Sequence, residues 1–123
     1  MYIFRFPARV PVLTYSELKR YVARGRKGNY RKIGATVTVV DRGQNVQVRL
    51  YDTLLATVTP DRVIVGSELD DYVTHATREW LTLLLQNNGA GGHVAAESGR
   101  YPQTGQTYPV RPASPAWWQE VVA

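Results

Sequence analysis

A chain of 123 residues without cysteine excludes disulfides, thiolate nucleophiles and cysteine-ligated zinc, and leaves no room for a second catalytic domain. Its 44% hydrophobic and 20% charged residues are those of a folded rather than a disordered protein. The net charge of +5 is uneven: residues 1–50 hold 11 Lys and Arg against 2 acidic residues, and residues 51–123 hold 4 against 8. That polarity, +9 against −4, suits a polyanion at one end or head-to-tail association between copies.

The opening MYIFRFPARVPVL carries Arg5 and Pro7 inside its apolar stretch, which is not the unbroken hydrophobic region of a signal peptide. No stretch approaches the roughly 18 apolar residues of a membrane span, so a soluble, unexported protein without a membrane partner is expected. Tyr2, Ile3, Phe4 and Phe6 suggest a short strand, ended by Pro7 and Pro11.

Thr14-Tyr15-Ser16-Glu17 has the spacing of a capping box and opens a helix over residues 15–24, with Gly25 as a left-handed cap. Tyr15, Leu18 and Val22 would face the core, with Tyr21 beside them, while Lys19, Arg20 and Arg24 face water. Arg20 and Arg24 also lie near the helix C-terminus, where the macrodipole favours cations.

From Lys32 the period becomes two. Ile33, Ala35, Val37 and Val39 alternate with polar or small residues as one half-buried strand, and Asp41-Arg42-Gly43-Gln44 makes a turn with Gly43 free to take positive φ. Val46, Val48 and Leu50 alternate with Gln47, Arg49 and Tyr51 in a second strand. A third spans residues 54–59, a turn follows at Pro60-Asp61-Arg62, and a fourth covers residues 63–66. The expected fold is α+β: a four-stranded antiparallel meander with one wet and one apolar face.

The apolar face needs a cover. Val73, Ala76, Trp80, Leu83 and Leu84 have helical spacing, broadened by Leu81 and Leu85, which predicts a helix over residues 74–86 ended by Asn87-Asn88-Gly89. Residues 1–88 therefore read as the core domain, and residues 89–123, rich in Gly, Pro, Gln, Thr and Ser, as an extended arm. Ser114 and Pro115 suit the start of a short terminal helix carrying Trp117 and Trp118, which would dock on this domain, a second copy or another protein.

The stretch KRYVARGRKGNYRK, residues 19–32, contains seven cations, two tyrosines and no acid. A phosphate backbone would be tracked by Arg24, Arg26, Lys27 and Arg31 (with Lys32), while Tyr21 or Tyr30 stacks on a base; a solvated helix end and loop has the same composition. Thr36, Thr38, Gln47, Arg49, Tyr51 and Thr57 would line the wet face of the sheet. Of the two histidines, His75 follows Asp70 and Asp71, a set too small for a convincing metal site. The glycine run before His93 lacks the Gly-Lys-Ser/Thr ending of a phosphate loop. No local signature of a catalytic triad occurs.

The segment YRKIGATVTVVDRGQNVQVRLYDTLLATVTPDRVIVGSELDDYVTHATREWL, less than half of the chain, resembles a group of small uncharacterised proteins of actinobacterial bacteriophages. The shared features are the Arg49-Leu50-Tyr51-Asp52-Thr53 step, the Pro60-Asp61 turn and the Thr-rich approach to a helix at Val73-Thr74. The resemblance implies a meander followed by a helix, a phage origin and hence the host cytoplasm, and it implies no activity.

These features point to a small basic non-enzymatic binding protein, with no catalytic residue, metal or cofactor. Nucleic acid is the leading partner, met at Arg24, Arg26, Lys27, Tyr30 and Arg31. The alternative is a protein-interaction module, such as an inhibitor of a host protein, an assembly subunit or a self-associating chain, acting through Trp117 and Trp118.

Overall fold

The computed structural model describes residues 5–66, 75–89 (His75 by its backbone only) and 107–110. These form an α+β structure in which two helices, α1 (Tyr15–Ala23) and α2 (His75–Asn87), cover one face of a sheet. The strands are β1 (Tyr30–Ile33), β2 (Val37–Asp41), β3 (Val46–Leu50), β4 (Thr53–Val58), β5 (Arg62–Val65) and β6 (Thr107–Pro109). They lie in the order β1-β2-β3-β4-β5-β6, and each neighbouring pair is antiparallel.

Six strands replace the expected four, for two reasons. First, the run of alternating residues 32–39 is a hairpin, not one strand: Gly34, with φ of 65°, turns the chain, and Ile33 pairs with Val37. Ile33 and Val37 sit on the same face of the sheet, so a three-residue turn preserves the alternation and conceals itself. Ala35, expected inside, is exposed in that turn. Second, Thr107–Pro109 from the segment read as an arm pairs with β5, Tyr108 opposite Val63, and Val110 N–H donates to the Asp61 carbonyl at 2.8 Å.

The buried face is made by Ile33, Val37, Val39, Val46, Val48, Leu50, Ala56, Val58, Val63 and Val65, as the period-two pattern of β2, β3 and β5 requires. The β3–β4 register shifts between Val48 and Arg49 of β3, which face Ala56 and Leu54, so Leu55 of β4 is an extra residue, buried next to Ala56 in place of strict alternation. Above this face lie Leu18 and Val22 of α1, Trp80, Leu81, Leu84 and Leu85 of α2, and Leu13. Each side chain of this size adds about 1.5–3 kcal/mol on full burial, so the covering helices are held chiefly by their apolar faces.

Helix α1 starts without the expected capping box. Thr14 makes no side-chain cap, and the Glu17 carboxylate accepts instead from Arg20 Nη1 at 2.9 Å, a charge-assisted bond that competes with a neutral backbone amide. Nor does Gly25 form a left-handed cap: the helix ends at Arg24 in right-handed geometry, and Gly25 N–H donates to the Val22 carbonyl. Lys19, expected in water, reaches across to the β2–β3 turn, where its ammonium and the Tyr15 hydroxyl both donate to the Gly43 carbonyl at 2.7 Å. Asp41 lies 3.5 Å from Lys19 and accepts from Gly43 N–H at 2.8 Å. The Tyr15 hydroxyl holds the Lys19 ammonium above its usual pKa; desolvation opposes this, and the Asp41 carboxylate adds to it.

The turn after β3 differs from its expected form in one residue. Tyr51, read as a strand residue, is the first residue of a two-residue hairpin loop, with φ of 53° and 70% of its surface exposed. Helix α2 follows expectation closely. Asn88 and Gly89 end it, the latter with φ of 75°. The strand expected near residues 2–6 falls largely outside the described residues; Phe6, which is described, is not in a strand and meets the Trp80 ring edge-on at 5.0 Å.

Candidate nucleic-acid interface

Residues 5–13 run as an irregular segment fixed at three points. Pro7 lies over the β1–β2 turn, so close that a Cβ on Gly34 would stand 2.7 Å from Pro7 Cγ. Phe6 packs on Trp80, and Leu13 is held by the end of α2: its N–H donates to Asn87 Oδ1 at 2.8 Å. Asn88 Nδ2 donates at 2.8 Å to the carbonyls of both Leu13 and Leu84. These anchors bring Arg9 beside the C-terminal end of α1 and strand β1.

There the chain forms an open groove of about 550 Å³ lined by Ala8, Arg9, Val10, Pro11, Tyr21, Arg24 and Arg31. Of these seven described lining residues three are arginines and none is acidic. Arg31 projects from the helix-covered side of β1, its guanidinium 4.0 Å over the Tyr21 ring and its Nη1 donating to the Tyr21 carbonyl at 3.1 Å. Its aliphatic stem passes Gly25, where a Cβ would come within 2.9 Å of Arg31 Cδ. Gly25 therefore serves close approach rather than helix capping. The Tyr21 hydroxyl is committed as well, donating to the Lys32 carbonyl at 2.6 Å.

Arg9 and Arg24 are exposed and, with Arg26 and Lys27, take part in no ion pair among the described residues. Guanidinium groups supply planar forks of N–H donors matched to phosphate oxygens. The described lining contains no carboxylate or imidazole and its phenol is engaged, so what these side chains offer is donors for an anion. A second, smaller groove of about 280 Å³, lined by Phe6, Val10, Pro11, Val12, Leu83 and Asn87 on the α2 side of the same segment, carries no formal charge.

Of the residues singled out in the sequence, Arg24 and Arg31 meet in the groove. Arg26 and Lys27 lie exposed in the connection between α1 and β1. Tyr30 points to the opposite side of β1 from Arg31, because neighbouring strand residues alternate. Arg9 was not signalled by sequence: it stands in a proline-flanked segment without periodicity, and only the long-range contacts of Phe6, Pro7 and Leu13 bring it to Arg24. Trp117 and Trp118 lie outside the described residues, as do Asp70, Asp71 and His93. Among the described residues no group of three or more His, Cys, Asp or Glu could hold a metal ion, and no helix is long and apolar enough to cross a membrane. Comparison of the chain with protein-family models, curated proteins and solved structures finds no match, so the chemistry of the groove rests on these side chains alone.

Proposed function

We propose that this protein is a small, non-enzymatic nucleic-acid-binding protein, phage-encoded as the resemblance of residues 30–81 implies, whose phosphate contacts are made in the arginine groove. The observation that carries the reading is the convergence of Arg9, Arg24 and Arg31 on one groove with no acidic residue among its described lining. Arg26 and Lys27 add exposed positive charge in the connection between α1 and β1, the chain between Arg24 and Arg31. An isolated cluster on a helix end would be explained by the macrodipole, but that explanation does not reach Arg9, which comes from a separate segment.

Fluorescence anisotropy with labelled oligonucleotides, titrated between 50 and 200 mM salt, tests this. The affinity should fall linearly on a log–log plot, and the Arg9→Ala/Arg24→Ala/Arg26→Ala/Lys27→Ala variant should lose binding while keeping its circular dichroism spectrum. Absence of binding at 50 mM salt, or binding unchanged in that variant, would refute the reading. The protein-interaction alternative rests on Trp117 and Trp118, beyond the described residues.

A further inference from the structure

We infer that the nucleic acid is single-stranded and that it passes from the arginine groove around the edge of β1 onto the open face of the sheet, where Tyr30 stacks on a base. This inference rests on the groove being the phosphate site. Strand β1 is an edge strand, and its alternation sends Arg31 into the groove and Tyr30 and Lys32 to the other side. One strand of four residues thus belongs to both surfaces.

The cross-strand register defines the open face. Tyr30 stands beside Val40, followed by Gln47, Thr57, Ile64 and Thr107 across the sheet. Lys32 stands beside Thr38, followed by Arg49 and Leu54. Arg62 lies on the same face of β5 as Ile64. Both described helices cover the opposite face, so no described element packs here.

The charge on this face is complementary to a polyanion. Among the described residues Lys32, Arg49 and Arg62 are its charged strand residues, and no strand position on it is acidic. Arg49 is spread by neutral partners, Gln47 Oε1 at 3.4 Å and the Asp52 carbonyl at 3.2 Å, so its charge is not cancelled. Arg62 alone is near a carboxylate, 3.9 Å from Asp61.

Tyr30 decides the strandedness. Tyr30 is 37% exposed and makes no side-chain hydrogen bond among the described residues, and an aromatic ring beside cations is a stacking platform for an unpaired base. A duplex keeps its base faces in its own stack and offers phosphates only, so it would fill the groove and leave Tyr30 unused.

The test compares a 12-nucleotide oligothymidylate, a 12-nucleotide oligouridylate and a 12-base-pair DNA duplex, each labelled, against the full chain. Single strands should bind at least about tenfold tighter than the duplex. Tyr30→Ala should weaken single-strand binding about tenfold, within the range for one base–aromatic stack, leave duplex binding unchanged, and be rescued by Tyr30→Phe. Arg49→Gln should weaken single-strand binding alone, with the sheet intact. Equal binding of duplex and single strand, or no effect of Tyr30→Ala, overturns the path across the sheet even if Arg9→Ala and Arg24→Ala still weaken binding, in which case the groove reading survives. Failure of all three probes to bind at 50 mM salt overturns both.

Discussion

The Arg31 guanidinium lies 4.0 Å over the Tyr21 ring and donates to the Tyr21 carbonyl at 3.1 Å, joining edge strand β1 to the end of α1. A cation counted among the binding residues is thereby also a structural tie. Arg31→Ala should lower stability by about 1–2 kcal/mol through loss of the cation–π contact and a charged hydrogen bond. Arg24→Ala, at an exposed and unpaired position, should stay within about 0.5 kcal/mol of the parent. Urea denaturation of the two variants separates the roles, and equal stability would show that the tie contributes nothing.

Asn88 is buried and holds two carbonyls, those of Leu13 and Leu84, with one amide nitrogen. Asn88→Ala leaves both acceptors without that donor in a buried setting, which should cost about 2–3 kcal/mol. Because Leu13 anchors the segment carrying Arg9, the same substitution should also weaken oligonucleotide binding under conditions where the protein remains folded. A urea midpoint matching the parent's would refute the clamp.

Tyr51 holds a left-handed φ of 53° with 70% of its surface exposed. Side chains other than glycine, asparagine and aspartate pay sterically in that region, while this tyrosine recovers little by packing. Tyr51→Asn should therefore stabilise the protein by about 0.5–1 kcal/mol. Thermal unfolding checks this, with a lower midpoint as the contrary result.

The Asp61 carboxylate is held below its usual pKa by the Thr59 hydroxyl, which donates to it at 2.7 Å, and then by the Arg62 charge. A carboxyl whose pKa is lower folded than unfolded binds protons more readily when unfolded. Its contribution is therefore full above the ordinary value of 3.8 and is lost as pH falls through the folded value. The β4–β5 turn should loosen below about pH 4, and Asp61→Asn should remove that part of the acid dependence. Carbon-detected titration of the Asp61 carboxyl by NMR reads it directly; a midpoint at or above the ordinary value would contradict the assignment.

Much of the fold could be read from the sequence because burial imposes a period. The alternation at Val46, Val48 and Leu50 and the stripe of Trp80, Leu81, Leu84 and Leu85 each follow from one apolar face. The β1–β2 turn could not be read, since Ile33 and Val37 keep the same parity on either side of it; Gly34 was its one local signal. Strand β6 has three residues in a Gly- and Pro-rich stretch, too few for a pattern. The groove was legible in part. Arg24 and Arg31 stood in a dense basic run, but Arg9 joins them through hydrogen bonds between residues 74 and 75 positions apart in the chain. The placement of Tyr30 and Arg31 on opposite sides of β1 needed the strand to begin at Tyr30 rather than Lys32.

Arg9 gives the most direct test of the groove, because only the fold assigns it to the site. The salt dependence of binding to oligothymidylate should be measured for the parent chain and for Arg9→Ala. If Arg9 neutralises one phosphate, the slope of log affinity against log salt should become shallower by about 0.7, the value per contact for a single strand. An unchanged slope and affinity in a folded Arg9→Ala protein would show that nucleic acid does not bind in this groove.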